Sequence, residues 1–127
     1  MNHRIMVVDD NEINLKLISE LLMMEGYNVL PVTDAESVLK LIETNFPELI
    51  LMDIQLPGMD GLTLTKILKQ KKETQHIPII AVTAFAMKGD EEKALEAGCN
   101  GYITKPIDTR MLPELVQKYL QDHQTVL

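Results

Sequence analysis

One cysteine, Cys99, in a chain of 127 residues leaves no intrachain disulfide possible and excludes a zinc site built from several thiolates. A reducing, cytoplasmic setting is the expectation. Long apolar runs are also missing. None exceeds four residues, Ile5 to Val8, Leu49 to Met52 and Ile79 to Val82 being typical, against the ~20 that a membrane-spanning helix needs. The start, Met1-Asn2-His3-Arg4, leads straight into a strand-like segment with no secretory leader, so neither membrane insertion nor export is expected. Positive charge is scarce: 12 Lys and Arg stand against 19 Asp and Glu, a net charge of −7. That balance opposes non-specific attraction to nucleic acid or anionic lipid. The one basic cluster, Lys69-Gln70-Lys71-Lys72, reads as a solvated helix end.

What is present is an ordinary globular composition, 46% hydrophobic and 24% charged, at the length of one domain. Short β-rich segments alternate with longer segments of helical period, which predicts a parallel sheet covered by helices. The expected strands are Arg4–Val8, Asn28–Val32, Leu49–Asp53, Ile79–Val82 and Gly101–Thr104. All but the second and last are nearly continuous apolar runs, the mark of burial on both faces. Between them, Ile13, Leu17, Leu21 and Met24 form one stripe, Ala35, Val38, Leu41 and Ile42 a second, and Leu64, Ile67 and Leu68 a third. A fourth helix is expected from Lys88 to Ala97, stopped by Gly98. A fifth begins near Asp108 or Thr109 and carries Leu112, Leu115, Val116, Tyr119 and Leu120. The predicted fold is a doubly wound, flavodoxin-like (βα)₅ unit with strand order 2-1-3-4-5, since right-handed crossovers leave few arrangements. One domain spans residues 1–127, with its core at 4–121 and a C-terminal tail at 122–127.

In an open α/β sheet, ligands bind beyond the carboxyl ends of the strands, where strand order reverses. Those ends carry Asp9-Asp10, Asp53, Thr83 and Lys105. Strands one and three are neighbours in the predicted order, so three carboxylates would crowd one depression and raise one another's pKa unless a cation joins them. Mg²⁺ suits such a site, because it takes oxygen ligands and commonly pairs one or two carboxylates with phosphate oxygens. Thr83 adds a hydroxyl donor and Lys105 a mobile positive charge, so an anion is also expected there. A phosphoryl group, with roughly −1.5 to −2 charge at neutral pH, meets both requirements.

Four segments, Val7-Val8-Asp9-Asp10-Asn11, Leu51-Met52-Asp53-Ile54-Gln55-Leu56-Pro57-Gly58-Met59-Asp60-Gly61, Val82-Thr83-Ala84 and Tyr102-Ile103-Thr104-Lys105-Pro106, together resemble the signature set of response-regulator receiver domains, in the family's order. The resemblance covers about residues 4 to 121. It implies that Asp53 is the phosphoacceptor, taking its phosphoryl group from a phosphohistidine on a histidine kinase or phosphotransfer domain. It also implies that Asp9, Asp10, Asp53 and the main-chain carbonyl of Gln55 bind Mg²⁺, and that Thr83 and Lys105 hold phosphoryl oxygens. A cis peptide between Lys105 and Pro106 belongs to the same pattern. Phosphorylation would draw Thr83 inward and let Tyr102 rotate, altering a face of helix four, strand five and helix five that a downstream protein reads. Gln55 and Phe85 stand where some relatives carry residues that steer hydrolytic water, so the two are expected to tune dephosphorylation.

Bland roles compete at several positions. Asp60, ahead of Gly61, reads as a helix cap, His3, His76 and His123 as surface residues, Cys99 as a small partly buried filler, and Met23-Met24 as core and helix surface. Three carboxylates at adjacent buried strand ends are costly without a task, which favours the functional reading of Asp9, Asp10 and Asp53. Among rival functions, a flavodoxin would need a phosphate-cradling first loop that Asp9-Asp10-Asn11-Glu12 repels. An Asp-nucleophile phosphatase would carry its nucleophile after strand one, with a second Asp two residues on. The expectation is a switch, not a turnover enzyme, acting as a monomer or weak dimer through protein partners. A receiver excised from a hybrid kinase is the alternative.

Overall fold

The structure, a computed structural model, describes residues 3–84 and 89–124, with side chains described as far as residue 121. Five parallel strands, β1 (Arg4–Val8), β2 (Asn28–Val32), β3 (Leu49–Asp53), β4 (Ile79–Thr83) and β5 (Gly101–Thr104), lie in the order β2-β1-β3-β4-β5. This is the predicted sheet, with β4 one residue longer so that Thr83 is its last member. All five residues of β3 and of β4 are buried, whereas the edge strand β2 keeps only Val32 fully covered. The two strands that break the apolar pattern, β2 and β5, are thus the two edges.

Successive side chains of a strand point to opposite faces, and the core divides accordingly. Met6, Val8, Ile50, Met52 and Ala81 meet α2 (Ala35–Leu41), α3 (Gly61–Gln70) and α4 (Asp90–Ala97) on one side. Ile5, Val7, Leu49, Leu51 and Ile80 meet α1 (Glu12–Met24) and α5 (Leu112–Gln124) on the other. Three helices start at a side-chain cap. The side chains of Asn11, Asp34 and Asp60 accept the free N–H groups of the first turns of α1, α2 and α3. Asp60 therefore has the capping role expected of it.

Helix α1 presents a different face from the one predicted. Ile13, Leu17 and Met24 are 80%, 53% and 83% exposed, and the sheet instead takes Leu15, Ile18 and Leu22. Eight of the thirteen residues in Glu-Ile-Asn-Leu-Lys-Leu-Ile-Ser-Glu-Leu-Leu-Met-Met are apolar, so two stripes fit the helical period, and packing against the sheet and α5 selects Leu15, Ile18 and Leu22. Each buried Leu or Ile there contributes ~1.5–3 kcal/mol. Helix α4 begins at Asp90, after Gly89 at φ 98°, with Lys88 outside the described residues, and Gly98 ends it as expected. Helix α5 starts later than predicted, at Leu112, because Asp108 turns the chain by accepting the Arg110 N–H. It continues to Gln124, so the segment read as a tail from residue 122 begins inside the helix.

Three bland assignments are also corrected. Lys69 is not a solvated residue. Its Nζ donates to the Ile77 carbonyl (2.6 Å), the Asn100 Oδ1 (3.0 Å) and the Gln75 carbonyl (3.3 Å), tying the end of α3 to the turn before β5. Lys71 and Lys72 are exposed as predicted. His3 is half-buried and pairs through Nδ1 with Glu48, while His76 is exposed and the His123 side chain lies outside the described residues. Cys99 is buried, 5% exposed, rather than partly buried.

Candidate phosphoryl and metal site

The strand ends bring the predicted residues together. Asp9 follows β1 directly and its N–H donates to the Val32 carbonyl, while Asp53 closes β3, the next strand in the sheet. Asp9 and Asp53 are 2% and 3% exposed, and Asp10 is exposed at the mouth. One carboxylate oxygen from each of the three lies within 4.8 Å of the others, the one such acidic cluster among the described residues.

The two buried carboxylates are held alike. Oδ1 of Asp9 accepts the Asn11 N–H at 2.9 Å, and Oδ1 of Asp53 accepts the Gln55 N–H at 2.9 Å. Their Oδ2 atoms share one ammonium, Lys105 Nζ lying 3.0 Å from Asp53 and 3.3 Å from Asp9. Burial lifts Asp9 above the ordinary carboxylate range; the Asn11 amide and Lys105 pull it back, and the charge of Asp53 adds to the rise. Burial also works against the Lys105 ammonium, but its hydrogen bond to Asp53 and the charges of Asp53 and Asp9 outweigh it and hold Lys105 above the usual lysine value. Three carboxylates thus face a single ammonium. A divalent cation with hard oxygen preference, such as Mg²⁺, fits that donor set.

The Lys105 main-chain N–H donates to the Thr83 carbonyl (2.6 Å), which anchors the residue at the end of β5, and the Lys105–Pro106 peptide is cis, as the resemblance implied. Thr83 is 1% exposed at the end of β4. Tyr102 lies on β5 half-buried against the α2–α3–α4 side of the core. Burial raises its phenol pKa, helped by the charges of Asp90 and Glu91 on α4. Gln55 stands beside Asp53 through its amide, and Phe85 lies outside the described residues. The sequence reading missed Asn11, which caps α1 with its side chain and orients Asp9 with its amide. An Asn just ahead of an apolar-periodic segment was the available signal.

A buried aspartate at the end of the central strand, a neighbouring acidic pair and a bridging lysine on this sheet define a class. The family model for the response regulator receiver domain matches residues 5–117, and the chain belongs to that family, the receiver domains of two-component systems. It is 48% identical to the polar-differentiation response regulator DivK of Brucella ovis, over 96% of this chain and 99% of the relative, and equally close to its counterpart in Brucella anthropi. Among solved structures, a putative response regulator from Chloroflexus aurantiacus superposes with a TM-score of 0.91 at 31% identity, covering 95% of this chain and 99% of that one. The receiver domain of the sensor histidine kinase PA1611 from Pseudomonas aeruginosa has a TM-score of 0.87 at 34% identity over the same shares, and carries a magnesium ion in its active site cleft. Matches along 99% of response-regulator relatives do not favour the hybrid-kinase alternative. Among the described residues no helix is long and apolar enough to cross a membrane.

Proposed function

We propose that Asp53 accepts a phosphoryl group from a phosphohistidine on a histidine kinase or phosphotransfer domain, and that the added charge is read on the face of α4, β5 and α5. The observation that carries this reading is the Lys105 ammonium held between two buried carboxylates, Asp53 and Asp9, with Asp10 at the mouth. A Mg²⁺ ion bound by Asp9, Asp10, Asp53 and the Gln55 carbonyl would supply charge that offsets the phosphoryl oxygens. The Asp53 carboxylate attacks phosphorus in line, the P–N bond breaks, and its electron pair stays with the imidazole nitrogen. Lys105, already beside Oδ2, follows the oxygens as charge shifts onto them, and the Thr83 hydroxyl donates to another. Water attacking the acyl phosphate along the same line returns Asp53 and inorganic phosphate.

The donor's approach is supported by an apolar groove of about 390 Å³ between α1 and the segment after β5, lined by Leu17, Leu21, Ile107 and Leu112 and bordered by Lys105 itself. Leu17, one of the α1 residues that the sheet leaves exposed, forms part of its wall. On the output side, Thr83 moving toward the phosphoryl group would free space for Tyr102 to rotate, a population shift between two packings. Phe85, unable to orient water, would prolong the phosphorylated state, and Phe85→Glu should speed its decay, measured as loss of the phosphoryl adduct with time.

The reading treats residues 1–127 as one receiver unit, monomeric or weakly dimeric, that works in the cytoplasm through a downstream protein. It makes the chain a switch that phosphorylates and dephosphorylates itself. Its test is intact-protein mass after incubation with acetyl phosphate, with and without Mg²⁺. One Mg²⁺-dependent phosphoryl adduct that disappears on standing is expected. Sustained hydrolysis of a phosphomonoester would instead mean a phosphatase.

A further inference from the structure

The loop from Ile54 to Asp60 carries the Gln55 amide that holds Asp53, and it has to return to the sheet to start α3. Its return point is Gly61. Four glycines of this chain have positive φ, namely Gly26, Gly58, Gly89 and Gly98, and Gly61 is not among them. Backbone conformation therefore does not demand glycine at this position. Space does: a Cβ on Gly61 would overlap the main-chain carbonyl oxygen of Asp53 and lie 2.7 Å from the Ile54 Cα. These neighbours are backbone, unable to swing aside as the Lys69 stem beside Gly98 can. The Gly61 N–H also donates to the Ile54 carbonyl (3.2 Å), and the Gly61 carbonyl accepts the Thr65 hydroxyl (2.8 Å), whose own residue is fully buried. The first turn of α3 is thus seated directly against the main chain of Asp53.

From this contact we infer that Gly61 is a positioning residue for the phosphoacceptor: by lacking a side chain it lets α3 close the loop onto Asp53 and so sets the Asp53 carboxylate and the Gln55 carbonyl relative to Asp9. The inference rests on the reading of Asp53 given above. It concerns the precision of the site, not the stability of the fold, and the two separate experimentally. Gly61→Ala raises the Mg²⁺ dissociation constant, measured by calorimetry, by roughly tenfold or more, and slows acetyl phosphate labelling in parallel. Gly26→Ala is the matched control, the same added methyl placed at φ 94° in open space in the α1–β2 turn, far from the site. It lowers the urea midpoint yet keeps Mg²⁺ affinity.

Thr65→Val, which removes the hydroxyl from the Gly61 carbonyl without adding bulk, gives a second reading that does not depend on Gly61→Ala folding. Its Mg²⁺ affinity falls by roughly threefold. Wild-type Mg²⁺ affinity in Gly61→Ala, or in Thr65→Val where Gly61→Ala does not fold, overturns the inference, as does an equal loss in Gly26→Ala. If the wild-type chain binds Mg²⁺ but takes no phosphoryl group, the phosphoacceptor reading fails while the affinity comparison still decides whether Gly61 positions the site. A wild-type chain that binds no Mg²⁺ overturns the inference directly.

Discussion

The loops leaving β1 and β3 solve one problem in two ways. Each must hold a buried carboxylate at the end of an apolar strand, and each does so with the amide two residues on, Asn11 for Asp9 and Gln55 for Asp53. After β1 the chain enters a helix at once. Asn11 both orients Asp9 and caps α1, so a few consecutive residues fix the geometry. After β3 the chain wanders from Ile54 to Asp60 before α3 begins, and local bonds cannot fix it. Buried Leu56, the Asp60 cap and the contact of Gly61 with Asp53 do so instead. A short loop is rigid through its own residues, and a longer one borrows rigidity from the element it leads to. Lys105, from a third strand end, joins the two carboxylates.

The largest expected effect comes from removing that joint. Lys105→Met leaves two adjacent buried carboxylates without their shared cation, and should cost about 3 kcal/mol of stability in metal-free buffer by urea denaturation. Millimolar Mg²⁺ should recover part of the loss, because ligand bound only to the folded state adds stability. Undiminished loss in Mg²⁺ would mean the cation does not reach Asp9 and Asp53.

Next in size is Asn11→Ala, which removes the side-chain cap of α1 and should cost about 1 kcal/mol. Because the Asn11 N–H survives the change, Mg²⁺ affinity should fall much less than in Gly61→Ala. Equal falls would erase the distinction between the two loops.

At α2 the Asp34 carboxylate lies below the usual range, held by the Ser37 amide and then the Ser37 hydroxyl. A depressed carboxylate stabilises the fold above its unfolded pKa and loses that contribution as pH falls through its folded value. The stability difference between wild type and Asp34→Asn should therefore be full at neutral pH and shrink below pH 3.8. A difference that grows in acid would contradict the sign. The smallest effect is chemical: burial pushes the Cys99 thiol up, so it should react with thiol reagents only as fast as the region around Thr65 opens.

Much of this was legible in the sequence, and unevenly. The sheet order follows from right-handed crossovers between five parallel strands, and the meeting of Asp9, Asp10, Asp53 and Lys105 from polar residues placed at the ends of apolar strands, since the topology brings strand ends together. The inward face of α1 did not follow, because Leu15-Ile18-Leu22 and Ile13-Leu17-Leu21 obey the same period and only the tertiary phase of the helix separates them. Lys69 was misread for a related reason. A lysine in a basic run looks solvated until the carbonyls of Gln75 and Ile77 and the amide of Asn100, up to 31 positions away, are folded around it. Gly61 was visible as part of a motif, but its backbone contact with Asp53 is a fact of three dimensions.

The measurement that bears most directly on the central claim is to trap the acyl phosphate with borohydride and map the product peptides by mass spectrometry. Reduction turns an aspartyl phosphate into homoserine. After acetyl phosphate and Mg²⁺, the account predicts homoserine at Asp53 alone, and none when Mg²⁺ is withheld. Homoserine at Asp9 or Asp10, or a phosphoryl group that resists borohydride and maps to a hydroxyl side chain, would contradict it.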